Sequence, residues 1–85
     1  MKNAIRTITN VTTTPFYTPE AIKILMRRLK LNEKSLALLL NVAPVTVKLW
    51  ITGAVNPSNL SRRMLQLYEL YPDIIDKLAE GGEDN

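Results

Sequence analysis

The sequence contains no cysteine and no histidine. Without cysteine there is no disulfide framework or thiolate metal site, and without histidine the commonest metal ligand and the usual acid–base catalyst are missing. No apolar run approaches the roughly 18 residues of a membrane-spanning helix, and the first residues show no signal-peptide core. We therefore expect a cytoplasmic protein without a membrane segment, metal or cofactor.

Motifs typical of enzymes are also missing. There is no glycine-rich phosphate loop, no nucleophile elbow and no pair of carboxylates at a useful spacing within one element. The 85 residues fit one domain, and a domain of this size rarely encloses the roughly 300 Å³ of a ligand pocket. We predict that the protein is not an enzyme.

Acidic residues are scarce in most of the chain. Residues 1–68 carry ten Lys or Arg against only Glu20 and Glu33, a net charge of +8. Residues 69–85 carry one Lys against six acids, a net charge of −5. The basic charge is thus concentrated in one part of the chain, where it favours a polyanionic partner such as nucleic acid.

The chain reads as a series of short helices with recognisable starts. Apolar residues recur at helical spacing in residues 18–79, beginning with the stripe Ile22, Leu25, Met26 and Leu29. The predicted starts are Thr18 as N-cap before Pro19, Asn32 as N-cap, Pro44 at the first helical position, Ser58 as N-cap, and Pro72 with Asp73. This pattern predicts an all-α fold, a compact bundle of four to five short helices.

The two ends of the chain differ from this bundle. Residues 1–17 are rich in Thr and β-branched residues, and we expect an extended or mobile arm, with a short strand over Ile5 to Val11 as the alternative. Residues 80–85 are acidic and contain two glycines, and we expect a disordered tail.

In the fourth helix, apolar spacing predicts a buried stripe of Leu60, Met64, Leu67, Tyr68 and Tyr71.

The stretch from Leu31 to Gly53 predicts two helices joined by a tight turn. Its apolar residues Leu36, Ala37, Leu40, Val42, Val47 and Trp50 are spaced to close both helices onto one core. Asn41 stands at the turn, and Asn tolerates the left-handed conformation better than other non-glycine residues. Such a helix-turn-helix leaves the outer face of its second helix free to enter the DNA major groove.

This stretch resembles the helix-turn-helix of the phage Cro/CI repressor superfamily, also called the XRE-like family. The matching residues are Leu31, Leu36, Ala37, Leu39, Val42, Thr46, Val47, Trp50 and Gly53. The sequence departs from the family pattern at Glu33, Asn41 and Ala43, which stand where Gln, Gly and Ser are usual. The resemblance implies a lambda-repressor-like fold, a bacterial or phage-encoded protein, and binding to double-stranded DNA.

The resemblance also implies which residues meet DNA. It places base-reading positions at Pro44, Val45, Thr46, Lys48 and Leu49, with Val47 and Trp50 pointing inward. Lys48 can donate to guanine, Thr46 to a base or phosphate, and the apolar residues can contact thymine methyl groups. We expect phosphate contacts from Asn32, Lys34, Thr52, Asn56 and Asn59. Glu33 would repel phosphate, so we expect it to turn toward Lys34 or a backbone donor.

These expectations define a repressor that binds a palindromic operator as a homodimer, in a phage, anti-CRISPR-operon or toxin–antitoxin setting. The alternative is a protein-binding module such as an antitoxin that covers a toxin partner, and a third interpretation is a DNA-binding adaptor within a larger complex. The dimer surface is open between helix five (Ile74, Ile75, Leu78), the N-terminal arm (Ile5, Ile8, Phe16, Tyr17) and neither. Of Arg62 and Arg63, we expect one to reach a phosphate and the other to pair with an acid of the tail.

Overall fold

A computed structural model describes residue 8 and residues 10–83 of the chain. These residues form an all-α bundle of five helices and no strand, as predicted. The helices are α1 (Pro19–Leu29), α2 (Glu33–Leu40), α3 (Pro44–Thr52), α4 (Asn59–Leu70) and α5 (Asp73–Glu83).

Three of the helices begin at the side-chain caps that the sequence predicts. The hydroxyl of Thr18 and the amide oxygen of Asn32 accept hydrogen bonds from backbone N–H groups of Ala21 and Ser35, at 3.1 and 2.8 Å. Ser58 caps α4 in the same way. Each cap satisfies a donor that the helix cannot, which stabilises the helix by about 1 kcal/mol.

Three helices end in residues with left-handed backbone conformation. Asn41 and Gly53, at φ of 58° and 83°, end α2 and α3. Lys30, at φ of 59°, ends α1, although a lysine has no special tolerance for this conformation. Its backbone N–H donates to the carbonyl of Arg27, which satisfies one of the last helical acceptors.

The core lies between α1, α2, α3 and α4. Ile22, Leu25 and Met26 of the α1 stripe are buried, and Leu29 is partly buried against the core, as are Leu40 and Val42 of the α2–α3 region. The fully buried apolar residues are Tyr17, Ile22, Leu25, Met26, Leu36, Ala37, Val47, Trp50, Leu65 and Tyr68. Helix α5 packs mainly on α4 and adds no residue to this core.

The predicted buried stripe of α4 is wrong at both ends. Leu60 and Tyr71 are exposed, at 74% and 55% of their surface, whereas Leu65 is fully buried. Leucines stand at several positions of this helix, so spacing alone is compatible with more than one face. The face of α4 that turns toward the core carries Tyr68, whose hydroxyl donates to the carbonyl of Leu39 in α2 at 2.6 Å.

The N-terminal segment has no regular structure over residues 10–18 but is bound to α4. Arg63 donates to the carbonyl of Thr12 at 2.8 Å, and Arg62 to that of Pro15 at 3.1 Å. Tyr17 is buried, and its hydroxyl donates to Glu69 at 2.7 Å. We call this contact between residues 12–17 and α4 the seam.

The seam bears on two of the predictions. Arg62 and Arg63 both bind backbone carbonyls of the N-terminal segment, while the side chains of the tail, with which one of them was expected to pair, lie outside the described part of the chain. Tyr17 is buried in its own chain and is not available to a dimer surface. The proposed strand over Ile5 to Val11, with Ile5 itself, falls largely outside the described residues.

Helix α5 continues to Glu83, beyond the point where the tail was expected to begin. Residues 80–83 are therefore helical, and residues 84–85 lie outside the described range. Glycine lowers helix stability by only about 1 kcal/mol per residue, which does not prevent a final turn that contains two of them.

Within the described residues, no single helix is long and apolar enough to cross a membrane. Helices α2 and α3 reach that length and composition only when taken together, and they are bent by 115° at the break between them.

Candidate nucleic-acid interface

Helices α2 and α3 meet in the geometry of a helix-turn-helix. Three residues, 41–43, separate them, and the chain direction changes by 115° across this turn. Helix-turn-helix motifs join their helices at about 90–120° through turns of three or four residues. Ala37 is buried in α2, where its small side chain permits close packing of the two helices.

Helix α3 has one buried and one exposed face. Val47 and Trp50 are fully buried, which confirms their predicted inward orientation. Pro44, Val45, Lys48, Leu49 and Thr52 are exposed, and they occupy adjoining positions on the opposite side of the helix. An α-helix with its side chains is about 10–12 Å across and can therefore lie in a major groove about 12 Å wide.

Four of the five predicted base-reading residues lie on this exposed face. Thr46 is the exception, because it is half-buried at the edge of the face, next to the position of Trp50. Thr52, which was assigned to phosphate, lies on the exposed face with Lys48. Its hydroxyl donates to the carbonyl of Leu49 at 3.2 Å, so its oxygen is held close to the helix.

The predicted phosphate-binding residues divide between the two ends of α3. Asn32 and Lys34 stand at its N-terminal end, where they line a groove of about 600 Å³ together with Pro44. Asn32 uses its amide oxygen to cap α2, which leaves its amide NH₂ as the group that can donate to a phosphate. Lys34 is exposed beside it.

The same groove brings in two basic residues that the sequence analysis did not assign to the site. Lys23 and Arg27, one turn apart on α1, line it opposite Lys34. Their spacing places them together on the solvent side of α1, but nothing in that spacing tells which neighbouring helix they face. The groove, which extends along α3 from Pro44 to Ile51, is therefore lined by three cations together with the acidic Glu33.

The structure does not show the predicted contact of Glu33 with Lys34 or a backbone donor. It is half-buried and lines a small cleft with Pro44, Val45 and Lys48. No hydrogen bond or salt bridge joins it to Lys34 or to any other described residue. Glu33 therefore lies beside the start of α3, in the same cleft as the lysine expected to read bases.

Asn56 and Asn59 stand at the C-terminal end of α3. They line a cleft of about 300 Å³ with Phe16 and Arg62, beneath the N-terminal segment. Both are exposed, and the side chain of Asn59 is held by a hydrogen bond from Arg62. The candidate phosphate contacts thus flank α3 at both ends, as the two backbones of a major groove would.

The groups with altered acidity lie away from this surface. Burial raises the pKa of both Tyr17 and Tyr68, and the neighbouring Glu69 carboxylate raises the pKa of Tyr17 further. Both tyrosines are therefore neutral hydrogen-bond donors within the fold. Among the described residues no cluster of acidic side chains could hold a metal ion.

Comparison with protein-family models and with curated proteins found no match to this chain.

Proposed function

We propose that the protein is a sequence-specific DNA-binding transcriptional regulator of the Cro/CI type, acting as a repressor on a palindromic operator. The observation that carries this proposal is the two-faced α3. Its inner face supplies Val47 and Trp50 to the core, while its outer face presents Lys48 and two large apolar side chains to solvent. A helix that packs on the core through one face and exposes the other is suited to insertion into a groove.

The charges around α3 support the same partner. Lys23, Arg27 and Lys34 border the groove at its N-terminal end, and the amide groups of Asn56 and Asn59 stand at the other. Cations that neutralise phosphates release counterions, which supplies much of the affinity for DNA. Amide donors at the opposite end would fix the orientation of the duplex.

A homodimer follows from the size of the reading surface. One helix of nine residues contacts only a few base pairs. Two copies related by two-fold symmetry would read half-sites about one helical turn, roughly 34–36 Å, apart. Repression would result because the bound dimer covers the promoter.

The decisive experiment is selection of duplexes from a random library by the purified protein, followed by titration of the selected sequence. We expect an enriched inverted repeat, and an affinity that falls steeply between about 50 and 200 mM salt. A duplex with only one half-site should bind much more weakly. Selection that yields no common sequence, together with binding that does not respond to salt, would refute the proposal.

A second candidate function rests on a different observation. Leu38 of α2 is 76% exposed and borders an apolar groove of about 610 Å³ together with Ile75 and Leu78 of α5. Such a surface suits a protein partner, such as a toxin covered by this chain. Leu38→Ser and Lys48→Ala together separate the candidates, because capture of a protein partner should be lost in Leu38→Ser and kept in Lys48→Ala, whereas operator binding by the regulator should be weakened in Lys48→Ala.

A further inference from the structure

The guanidinium of Arg62 joins the N-terminal segment to the first turn of α4. Its Nη1 donates to the carbonyl oxygens of Pro15 and Thr14, at 3.1 and 3.4 Å. The ring of Phe16 lies 4.9 Å from the guanidinium carbon, within range of a cation–π interaction. Arg62 is therefore held from the side of the N-terminal segment by two carbonyls and an aromatic ring.

On its other side Arg62 contacts Asn59. Its Nη2 donates to the amide oxygen of Asn59, the first residue of α4. A guanidinium has donors only, so the amide atom that faces it must be the oxygen. The amide NH₂ of Asn59 is consequently turned away from Arg62, and this NH₂ is the part of the side chain that can donate to a phosphate oxygen.

Arg63 provides an internal comparison. It also binds the N-terminal segment, through the carbonyl of Thr12, and its other contact is Gln66, at 2.8 Å each. It makes no hydrogen bond to Asn59. The two adjacent arginines thus share the task of holding the segment, but only Arg62 touches a residue of the candidate interface.

We propose that Arg62 is a positioning residue for DNA binding, which orients the amide of Asn59 so that its NH₂ donates to a DNA phosphate. This inference rests on the proposed function. The contacts of Arg62 with Pro15 and Phe16 then make residues 14–16 contribute to DNA affinity without touching DNA. A direct phosphate contact by Arg62 is the rival explanation, and it predicts a different dependence on salt.

The test is a double-mutant cycle with Arg62→Ala and Asn59→Ala, measured on the selected operator. Each single variant should weaken binding roughly tenfold, the worth of a hydrogen bond to a charged group. The double variant should bind no more weakly than Asn59→Ala alone, because both changes remove the same contact. The salt slope should stay that of the parent, whereas loss of a direct phosphate contact would lower it by about one.

Two further variants keep the test informative if Arg62→Ala lowers stability. Arg62→Lys retains the charge but cannot reach carbonyl and amide together, and Phe16→Ala removes only a ring that is 85% exposed. Both variants should weaken DNA binding when Asn59 is present, and neither should weaken the binding of Asn59→Ala any further. Arg63→Ala is the matched control and should bind DNA as the parent does, and circular dichroism melting should verify that each variant is folded.

Three results would overturn the inference and leave the proposed function standing. The first is an equal loss from Arg62→Ala in both backgrounds, the second is a lower salt slope, and the third is parental affinity for Asn59→Ala. Failure of the parent itself to bind any duplex would instead refute the proposed function, and this inference with it.

Discussion

The seam and the exposed face of α3 are both basic surfaces, but their cations are used differently. At the seam Arg62 and Arg63 donate to backbone carbonyls of the N-terminal segment. On α3 the ammonium of Lys48 makes no hydrogen bond or salt bridge with any described residue. Arg62 and Arg63 are half-buried and use their donors within the chain, whereas Lys48 is exposed. The arginines of the seam are therefore engaged within the chain, and the face of α3 is available to a ligand.

The largest expected effect is on the core beneath the exposed face. Trp50→Ala should lower the free energy of unfolding by about 3–5 kcal/mol, since it truncates a buried aromatic side chain in a small core. Chemical denaturation of the parent and variant measures the difference. Because the outer face exists only while α3 is packed, DNA binding should be lost together with the fold. A variant as stable as the parent would show that the inner and outer faces are wrongly assigned.

The next effect concerns the exposed face itself. Lys48→Ala should weaken operator binding by about 1–3 kcal/mol and relax the preference at one base pair, because it removes a donor to guanine. The thermal midpoint should not change, since Lys48 contacts no described residue through its ammonium. Lys77→Ala, an exposed lysine of α5, is the control and should bind every operator variant as the parent does. Unchanged affinity and base preference for Lys48→Ala would contradict its role.

A smaller effect is expected at the seam, on stability instead of binding. Tyr17→Phe should cost about 1 kcal/mol at neutral pH, because it removes the hydrogen bond from the buried hydroxyl to Glu69. Folding raises the pKa of Tyr17 above that of the unfolded chain, near 10. The unfolded state therefore loses its proton first, and the stabilising contribution of Tyr17 declines as pH rises above about 10.

Urea denaturation of the parent and Tyr17→Phe across this pH range measures the difference. We expect the gap between them to be constant below pH of about 9 and to narrow above pH of about 10. Tyr68, whose pKa is also raised, remains in both proteins, so its contribution cancels. Operator affinity at neutral pH should be the same in both proteins. A loss of DNA binding without a loss of stability would contradict the purely structural role of Tyr17.

The smallest effect tests the apolar part of the exposed face. Val45 and Leu49 stand four residues apart and are exposed, so they would present adjoining methyl groups to the groove. Replacing operator thymines with uracil removes one methyl each and should weaken binding by about 0.8 kcal/mol per contacted site. The matched measurement uses Val45→Ala, which should lose less affinity than the parent when uracil replaces thymine, because only Leu49 then remains to contact the methyl groups. If uracil at every thymine leaves the parent unaffected, this apolar surface does not read bases.

Much of the fold was predictable from local patterns. The starts of α1, α2 and α4 follow from Thr18, Asn32 and Ser58, because a capping side chain acts on N–H groups two or three residues away. The inward side of α3 follows from the spacing of Val47 and Trp50. The face of α4 was not predictable, since its leucines fit several stripes and the contact from Tyr68 to Leu39 spans 29 residues.

The candidate site was also predictable only in part, namely where helical spacing decides the position of a residue. Which α3 residues face outward was predictable from helical spacing, with Thr46 as the exception at the edge. The position of Lys23 and Arg27 in one groove with Lys34 was not predictable, because it depends on how α1 crosses the start of α2. The hydrogen bond from Arg62 to Asn59 was not predictable either. Arg62 is held in place by backbone carbonyls that lie 47 and 48 residues earlier in the chain.

By itself, the sequence determined the helices, their caps, the left-handed turn at Asn41 and the two sides of α3, since each arises from interactions within a few residues. Tertiary structure alone decided which polar side chains are consumed internally and which remain for a partner. Arg62, Arg63 and Lys48 carry the same charge, but only the approach of a distant segment supplies backbone acceptors to the two arginines, which are half-buried. That approach is set by the burial of Tyr17 against the core, a packing event that no local pattern records.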